Sequence, residues 1–161
     1  MRIIVPCITT MLHPQTAAWA TANGAELWPL LPGRDYAYFE LLREIWERDP
    51  GDTMIVEHDM VPAPGMTQEM ADCPYLWCSS PYTVGTGVEI TDGLGCVKFA
   101  GLLKQASPDL MRRVGEIDDD GLPARDWRRL DTRISRMLRH LGYRPHLHAS
   151  ATHLHDYRER P

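Results

Sequence analysis

The residues best placed to do chemistry follow a short apolar run, Asp52-Thr53-Met54-Ile55-Val56, which leads straight into Glu57-His58-Asp59. A β-branched run of this kind reads as a buried strand, and its end would deliver two carboxylates and a histidine to the edge of a sheet. Alternation along an extended backbone sets Glu57 and Asp59 on one side and His58 on the other. Hard carboxylate oxygens so placed suit Mg or Mn, ions that commonly act by clamping phosphate oxygens. An acidic turn after a core strand, with no ligand at all, would use the same residues.

A second group lies near the C-terminus, where His146, His148, His153 and His155 place four of the seven histidines within ten residues. In an extended segment His153 and His155 share a face, and either imidazole could ligate a metal or carry a proton. Together with the acid pair, one of them would complete an oxygen, oxygen, nitrogen set suited to Mn or Mg with diphosphate in the open positions. A plain surface pair is the other reading. Cys73 and Cys78 lack the tight spacing of a zinc knuckle and no second such pair exists, so the four cysteines read as reduced thiols.

These groups need elements to hold them. Ile3–Ile8 reads as a first strand, interrupted at Pro6, that feeds a loop through Thr9 to Pro14. Thr16–Asn23 follows as a short helix and Ala25–Leu30 as a second strand, with Asn23-Gly24 between them. From Asp35, a candidate N-cap, Tyr38, Leu41, Leu42, Ile45 and Trp46 recur at helical spacing up to Pro50-Gly51. With the strand at 52–56 the order is strand, helix, strand, helix, strand, the pattern of parallel strands with crossover helices. Ligands in such sheets bind beyond the carboxyl ends of the strands, where Glu57 and Asp59 would lie.

The remainder reads less regularly. Residues 72–100 suggest short strands and turns, with Gly93-Leu94-Gly95 as a tight turn or a place where backbone approaches a ligand. Val97–Gln105 reads as the start of a helix closed by Pro108. Tyr75, Trp77 and Tyr82 are either core or an aromatic platform for a sugar face. Residues 115–126 form an acidic loop without EF-hand register. Next, Leu130, Ile134, Met137, Leu138 and Leu141 make one apolar helical stripe, with Arg133, Arg136 and Arg139 read as its solvated face and Gly142 as its stop. Lys98, Arg125 and Arg128 are candidate phosphate partners or ordinary surface charges.

At 161 residues, 43% hydrophobic and 24% charged, the composition fits a single domain over 1–161 with its own core, and excludes disordered and fibrous classes. A net charge of −5 provides no general attraction to nucleic acid or anionic membrane. No stretch approaches a membrane span, and Pro6 comes too early for a secretory hydrophobic region, so a cytoplasmic location is the expectation.

Leu130-Asp131-Thr132-Arg133-Ile134-Ser135-Arg136-Met137-Leu138-Arg139-His140-Leu141-Gly142-Tyr143-Arg144, followed by Ala151-Thr152-His153-Leu154-His155, resembles the closing segment of family 2 and related GT-A glycosyltransferases. Glu57-His58-Asp59 similarly resembles a variant of their Asp-x-Asp motif, and the order along the chain agrees. The resemblance implies an α/β fold of GT-A type, a mixed and mostly parallel sheet flanked by helices. It also implies transfer of a sugar from a nucleoside diphosphate donor with the help of Mn or Mg. On that resemblance Glu57, Asp59 and His155 are the metal ligands, His155 being preferred to His153 for its spacing beyond Gly142, and Asp131 is the catalytic base of an inverting enzyme. Pro6, Ile8 and Thr9 fall in the strand and loop that begin the nucleotide site, with His58 and Gly93 as further donor contacts.

Three departures accompany the resemblance. Glu57 replaces the usual Asp, Leu130 stands where the family has Glu, and the region before the acid motif is short, so part of the base-binding region is absent or rebuilt. The acceptor is open among a glycan, a small molecule and modified nucleic acid. Two other functions use the same residues. One is a metal-dependent hydrolase or phosphoesterase with an activated water; the other is a noncatalytic nucleotide-sugar-binding module, which Leu130 favours.

Overall fold

The computed structural model describes residues 1–8, 11–117 and 121–154. The first strands and helices follow the alternation expected: β1 (Arg2–Cys7), α1 (Pro14–Ala22), β2 (Glu26–Pro29), α2 (Ala37–Arg48) and β3 (Thr53–Val56). Then come β4 (Met60–Val61), α3 (Met66–Asp72), β5 (Trp77–Ser79), β6 (Tyr82–Thr83), β7 (Glu89–Ile90), β8 (Cys96–Phe99), α4 (Gly101–Ala106) and α5 (Leu110–Val114). The described chain closes with α6 (Leu130–His140), β9 (His146–Leu147) and β10 (Thr152–His153).

Six strands form the central sheet in the order β2-β1-β3-β8-β5-β9. Pairing is parallel for β2-β1, β1-β3 and β5-β9, and antiparallel where β8 meets β3 and β5. The protein is therefore a mixed α/β fold with a mostly parallel sheet.

Period-2 alternation divides the sheet's side chains between two cores. Ile4, Ile55, Val97, Phe99 and Trp77 pack on one face beneath α2, α5 and α6, against Phe39, Leu42, Ile45, Val114, Leu130, Ile134 and Leu138. Val5, Met54, Val56 and Cys96 point to the other face, where Ala20 of α1 and Met66 and Met70 of α3 cover them. Parallel strands buried on both faces account for the uninterrupted apolar reading of β3.

Several expectations are corrected. The helix foreseen from Val97 is a strand, β8, and the helix starts only at Gly101. Position 101 tolerates no side chain, because a Cβ there would collide with the Pro50 carbonyl. Helix α2 begins after Tyr36 rather than Asp35, without a side-chain cap. Arg133 is buried, not solvated; its guanidinium donates to the carbonyl oxygens of Ala124 at 3.0 Å and Asp126 at 2.9 Å, fastening the preceding loop to α6. Trp77 is core and Tyr82 is buried, so with Tyr75 exposed the three do not form a platform. Gly142 does end the α6 segment in the left-handed region, at φ +90. Among the described residues no helix is long and apolar enough to cross a membrane.

Candidate active site

From β1 the chain passes through α1 to β2 on one side, then returns through α2 to β3 on the other. The carboxyl ends of β1 and β3 therefore flank a switch point, where open α/β sheets leave a crevice. Pro6 lies within β1 opposite Trp28, and Ile8 just past the end of β1. Glu57, His58 and Asp59 leave the end of β3 on the same edge.

Strand alternation does not set the acids; a turn does. The Met60 amide donates to the Glu57 carbonyl at 3.0 Å, closing a turn over residues 57–60. Three of its residues are tied by backbone to different parts of the chain. The Glu57 amide donates to Gly95 at 2.9 Å, the His58 carbonyl accepts from the His13 amide at 2.9 Å, and the Asp59 carbonyl accepts from the Leu154 amide at 2.9 Å. The acid turn is thus held between the glycine loop, the loop before α1 and the C-terminal strand, which pre-organises its side chains.

Asp59 Oδ2 lies 3.1 Å from His153 Nε2, with the two side chains 23% and 17% exposed. Burial alone would raise the Asp59 pKa, but the bond to His153 and the charges of His58 and His153 outweigh it and hold the carboxyl below its usual range. His153 shifts the other way, raised first by its bond to Asp59, against burial. The pair therefore favours carboxylate facing imidazolium.

Glu57 stands differently. Protein crowds its carboxyl, and burial, then the charges of Asp59 and Asp131, push its pKa up to about 7 despite opposing contributions from Tyr38 and His153. Tyr38 and Tyr82 face it; both phenols are raised, first by burial and then by the Glu57 charge. Asp131, in the first turn of α6, lies near enough for its charge to raise the pKa values of Glu57 and of both tyrosines. Its Oδ1 accepts from the Thr132 amide at 2.6 Å. Helix α6 is in turn tied to the glycine loop, since Ser135 donates to the Asp92 carbonyl at 2.7 Å and Arg139 pairs with the Asp92 carboxylate at 2.7 Å.

The structure thus brings Glu57, Asp59 and Asp131 together across a long stretch of sequence. His155 and Thr9 lie outside the described residues, and the histidine found against Asp59 is His153. Gly93 and Gly95 are required by Tyr82: a Cβ at Gly95 would lie 2.7 Å from its ring, and one at Gly93 would run into its hydroxyl. Lys98 is no phosphate partner, being buried beneath the sheet with its ammonium on the Met70 and Cys73 carbonyls. Arg128 is held by Asp126, and Arg125 lies over the Phe39 ring at 5.5 Å. Sequence reasoning missed Tyr38 as a site residue because it opens the apolar stripe of α2 and reads as core.

Asp59 and His153 present an oxygen and a nitrogen 3.1 Å apart, a spacing that fits two ligands of one cation once the imidazolium has given up its Nε2 proton to solvent. Glu57 does not close into the same cage, since the three side chains do not draw ligand atoms within 4.8 Å of one another. A site with two protein ligands suits Mg or Mn, which keep several positions for water and substrate phosphate. A hollow of about 170 Å³ opens at the carboxyl end of β2, lined by Trp28, Leu30, Arg34, Leu41 and Glu44 among others.

No family model and no curated protein matches this sequence. A solved structure does match in three dimensions: a glycosyltransferase involved in the glycosylation of the major capsid of PBCV-1, with a TM-score of 0.56 over 94% of this chain and 92% of that one. Sequence identity to it is 10%, so the likeness is one of fold.

Proposed function

We propose that this chain is a glycosyltransferase of GT-A type that moves a sugar from a nucleoside diphosphate donor to a hydroxyl acceptor. The observation that carries the reading is the convergence of Glu57, Asp59, Asp131 and His153 at the carboxyl ends of β1 and β3, on a sheet whose fold a glycosyltransferase shares.

In this reading Asp59 and His153 hold Mn or Mg, with Glu57 as an additional carboxylate beside them. The cation would supply charge neutralisation to the departing diphosphate, the Lewis-acid role of a bound metal. Ile8 and His58 would border the donor's nucleotide, and the hollow beside Trp28 and Arg34 offers room for its base. Asp131 takes the proton of the acceptor hydroxyl as the oxygen attacks the anomeric carbon, which makes the enzyme inverting. An ordinary carboxylate is a weak base, so position, not basicity, has to carry its contribution. Tyr38 and Tyr82 fix the walls of the pocket and limit water around Glu57.

One observation favours a noncatalytic nucleotide-sugar-binding module: Leu130, standing where the resembling enzymes have a second acid, is fully buried core. Calorimetry with nucleoside diphosphates and nucleotide sugars, with and without Mn, tests the donor site. Metal-dependent binding that is lost in Asp59→Ala is the expected result, and binding indifferent to both would sink the proposal. Sugar transfer or slow donor hydrolysis by the wild type then separates the enzyme from the binding module.

A further inference from the structure

Away from the acid turn, Cys73, Cys78 and His148 are the described residues whose ligand atoms all lie within 4.8 Å of one another. They come from three places: Cys73 ends α3, Cys78 sits in the middle of β5, and His148 directly follows β9. We propose that these three residues bind zinc, and that the ion fastens the C-terminal strap to the sheet.

Both cysteines are free, and their sulfurs stand 3.2 Å apart. Two thiolates on a tetrahedral zinc lie ~3.8 Å apart, from Zn–S bonds of ~2.3 Å, so the pair needs to open by only about half an ångström. The His148 side chain is 9% exposed and turns Nδ1 toward Glu69 Oε2 at 3.6 Å. Its Nε2 is buried without a hydrogen-bond partner among the described residues, a costly state for a ring nitrogen unless something binds it. A carboxylate behind one nitrogen and a metal on the other is the usual support of a zinc-bound histidine.

Thiolate formation at this site depends on the ion itself. Burial and the neighbouring Cys73 push the Cys78 thiol up to about 12, with the Lys98 charge opposing. A divalent ion supplies the larger opposing charge, so binding releases the two thiol protons to solvent and leaves two Zn–S bonds. Lys98 is already fixed beside the site, donating to the Cys73 carbonyl at 2.6 Å and the Met70 carbonyl at 3.0 Å. Thiolate and imidazole ligands select zinc over Mg, Ca or Mn, and water fills the fourth position.

What the ion would hold is the segment that reaches the acid turn. After His148, whose amide donates to Ser79 at 3.0 Å, the strap continues with the Ala149 carbonyl on the Ser80 hydroxyl and the Ala151 amide on the Pro81 carbonyl at 2.8 Å. Five residues beyond His148, His153 meets Asp59.

The test is the metal content of freshly purified, reduced protein by elemental mass spectrometry, with cobalt as a spectroscopic probe of the zinc-free form. One zinc per chain and a thiolate-to-cobalt charge-transfer band are expected, both lost in Cys73→Ser and His148→Ala and both retained in Asp59→Ala. Absence of the cobalt–thiolate band in the reduced wild type overturns the proposal, as does undiminished zinc in Cys73→Ser. A Cys73–Cys78 disulfide in protein isolated without oxidant also overturns it. Should either variant fail to fold, the wild-type cobalt spectrum still decides.

Discussion

Two clusters of side chains proposed to hold metal sit at opposite extremes of chemistry and are joined by one strap. At the acid turn the donors are hard, Asp59 and His153 keep some solvent exposure, and Glu57 feels the charges of Asp59 and Asp131. Below β5 the donors are soft, Cys78 and His148 are enclosed, and a buried lysine stands behind them. An oxygen-rich site suits an exchangeable cation shared with phosphate, whereas two thiolates and an imidazole suit zinc. His148 and His153, five residues apart, give the strap one foot in each.

The sharpest way to break this contrast is Asp59→Ala. Metal-dependent nucleotide binding and transfer should disappear, while the zinc content stays at the wild-type level; parallel loss of both would make the two clusters one structural unit. Next in size is Asp131→Asn, expected to lower the turnover number by about 10²–10⁴-fold with donor affinity unchanged, since Asp131 is assigned to the acceptor and not to the donor. Steady-state kinetics beside calorimetry separates the two, and a loss confined to donor affinity would remove Asp131 from the role of base.

Much of the acid region was legible because strong local signals coincided there. The β-branched run at 53–56 with acids behind it, and the strand-helix alternation before it, required no tertiary information. How the acids face each other was not legible, since a turn closed by Met60 and braced by Gly95, His13 and Leu154 replaces the alternation assumed for them. The thiol region was hidden for a related reason. Its third member is 70 residues from Cys78 and arrives only through β9 pairing with β5, a two-residue strand with no periodicity of its own. Lys98 misled in the same way: a lysine in a short run reads as surface, and only the register opposite Met54 and Cys78 shows that it is buried.

That lysine yields a smaller prediction on the sulfur side. Lys98→Met keeps the aliphatic stem but leaves the Met70 and Cys73 carbonyls without their donor, a loss of about 2–3 kcal/mol readable in urea unfolding. It should also weaken cobalt binding at Cys78 by removing a favourable charge, and leave nucleotide binding at the acid turn unaltered. A change in nucleotide affinity as large as the change in cobalt affinity would show that the strap couples the two sites.

The smallest effect on function belongs to Glu57 and has a definite sign. Its carboxyl titrates near 4.5 when unfolded and at about 7 in the fold. Below pH 4.5 both states hold the proton and burial carries no electrostatic penalty. As pH rises through that window the unfolded chain ionises first, so stability falls, and above about 7 the deficit is constant at about 3 kcal/mol. Glu57→Gln removes the titration, so in protein dialysed free of Mn and Mg the variant should exceed the wild type in unfolding free energy at pH 8 and match it near pH 4. Mn with a nucleoside diphosphate should shrink the advantage at pH 8, because a cation beside Asp59 favours the ionised Glu57 that burial alone resists. An advantage independent of pH would mean that the glutamine side chain merely packs better. One that persists undiminished with Mn and nucleotide would place the cation out of reach of Glu57 and leave the oxygen site to Asp59 and His153.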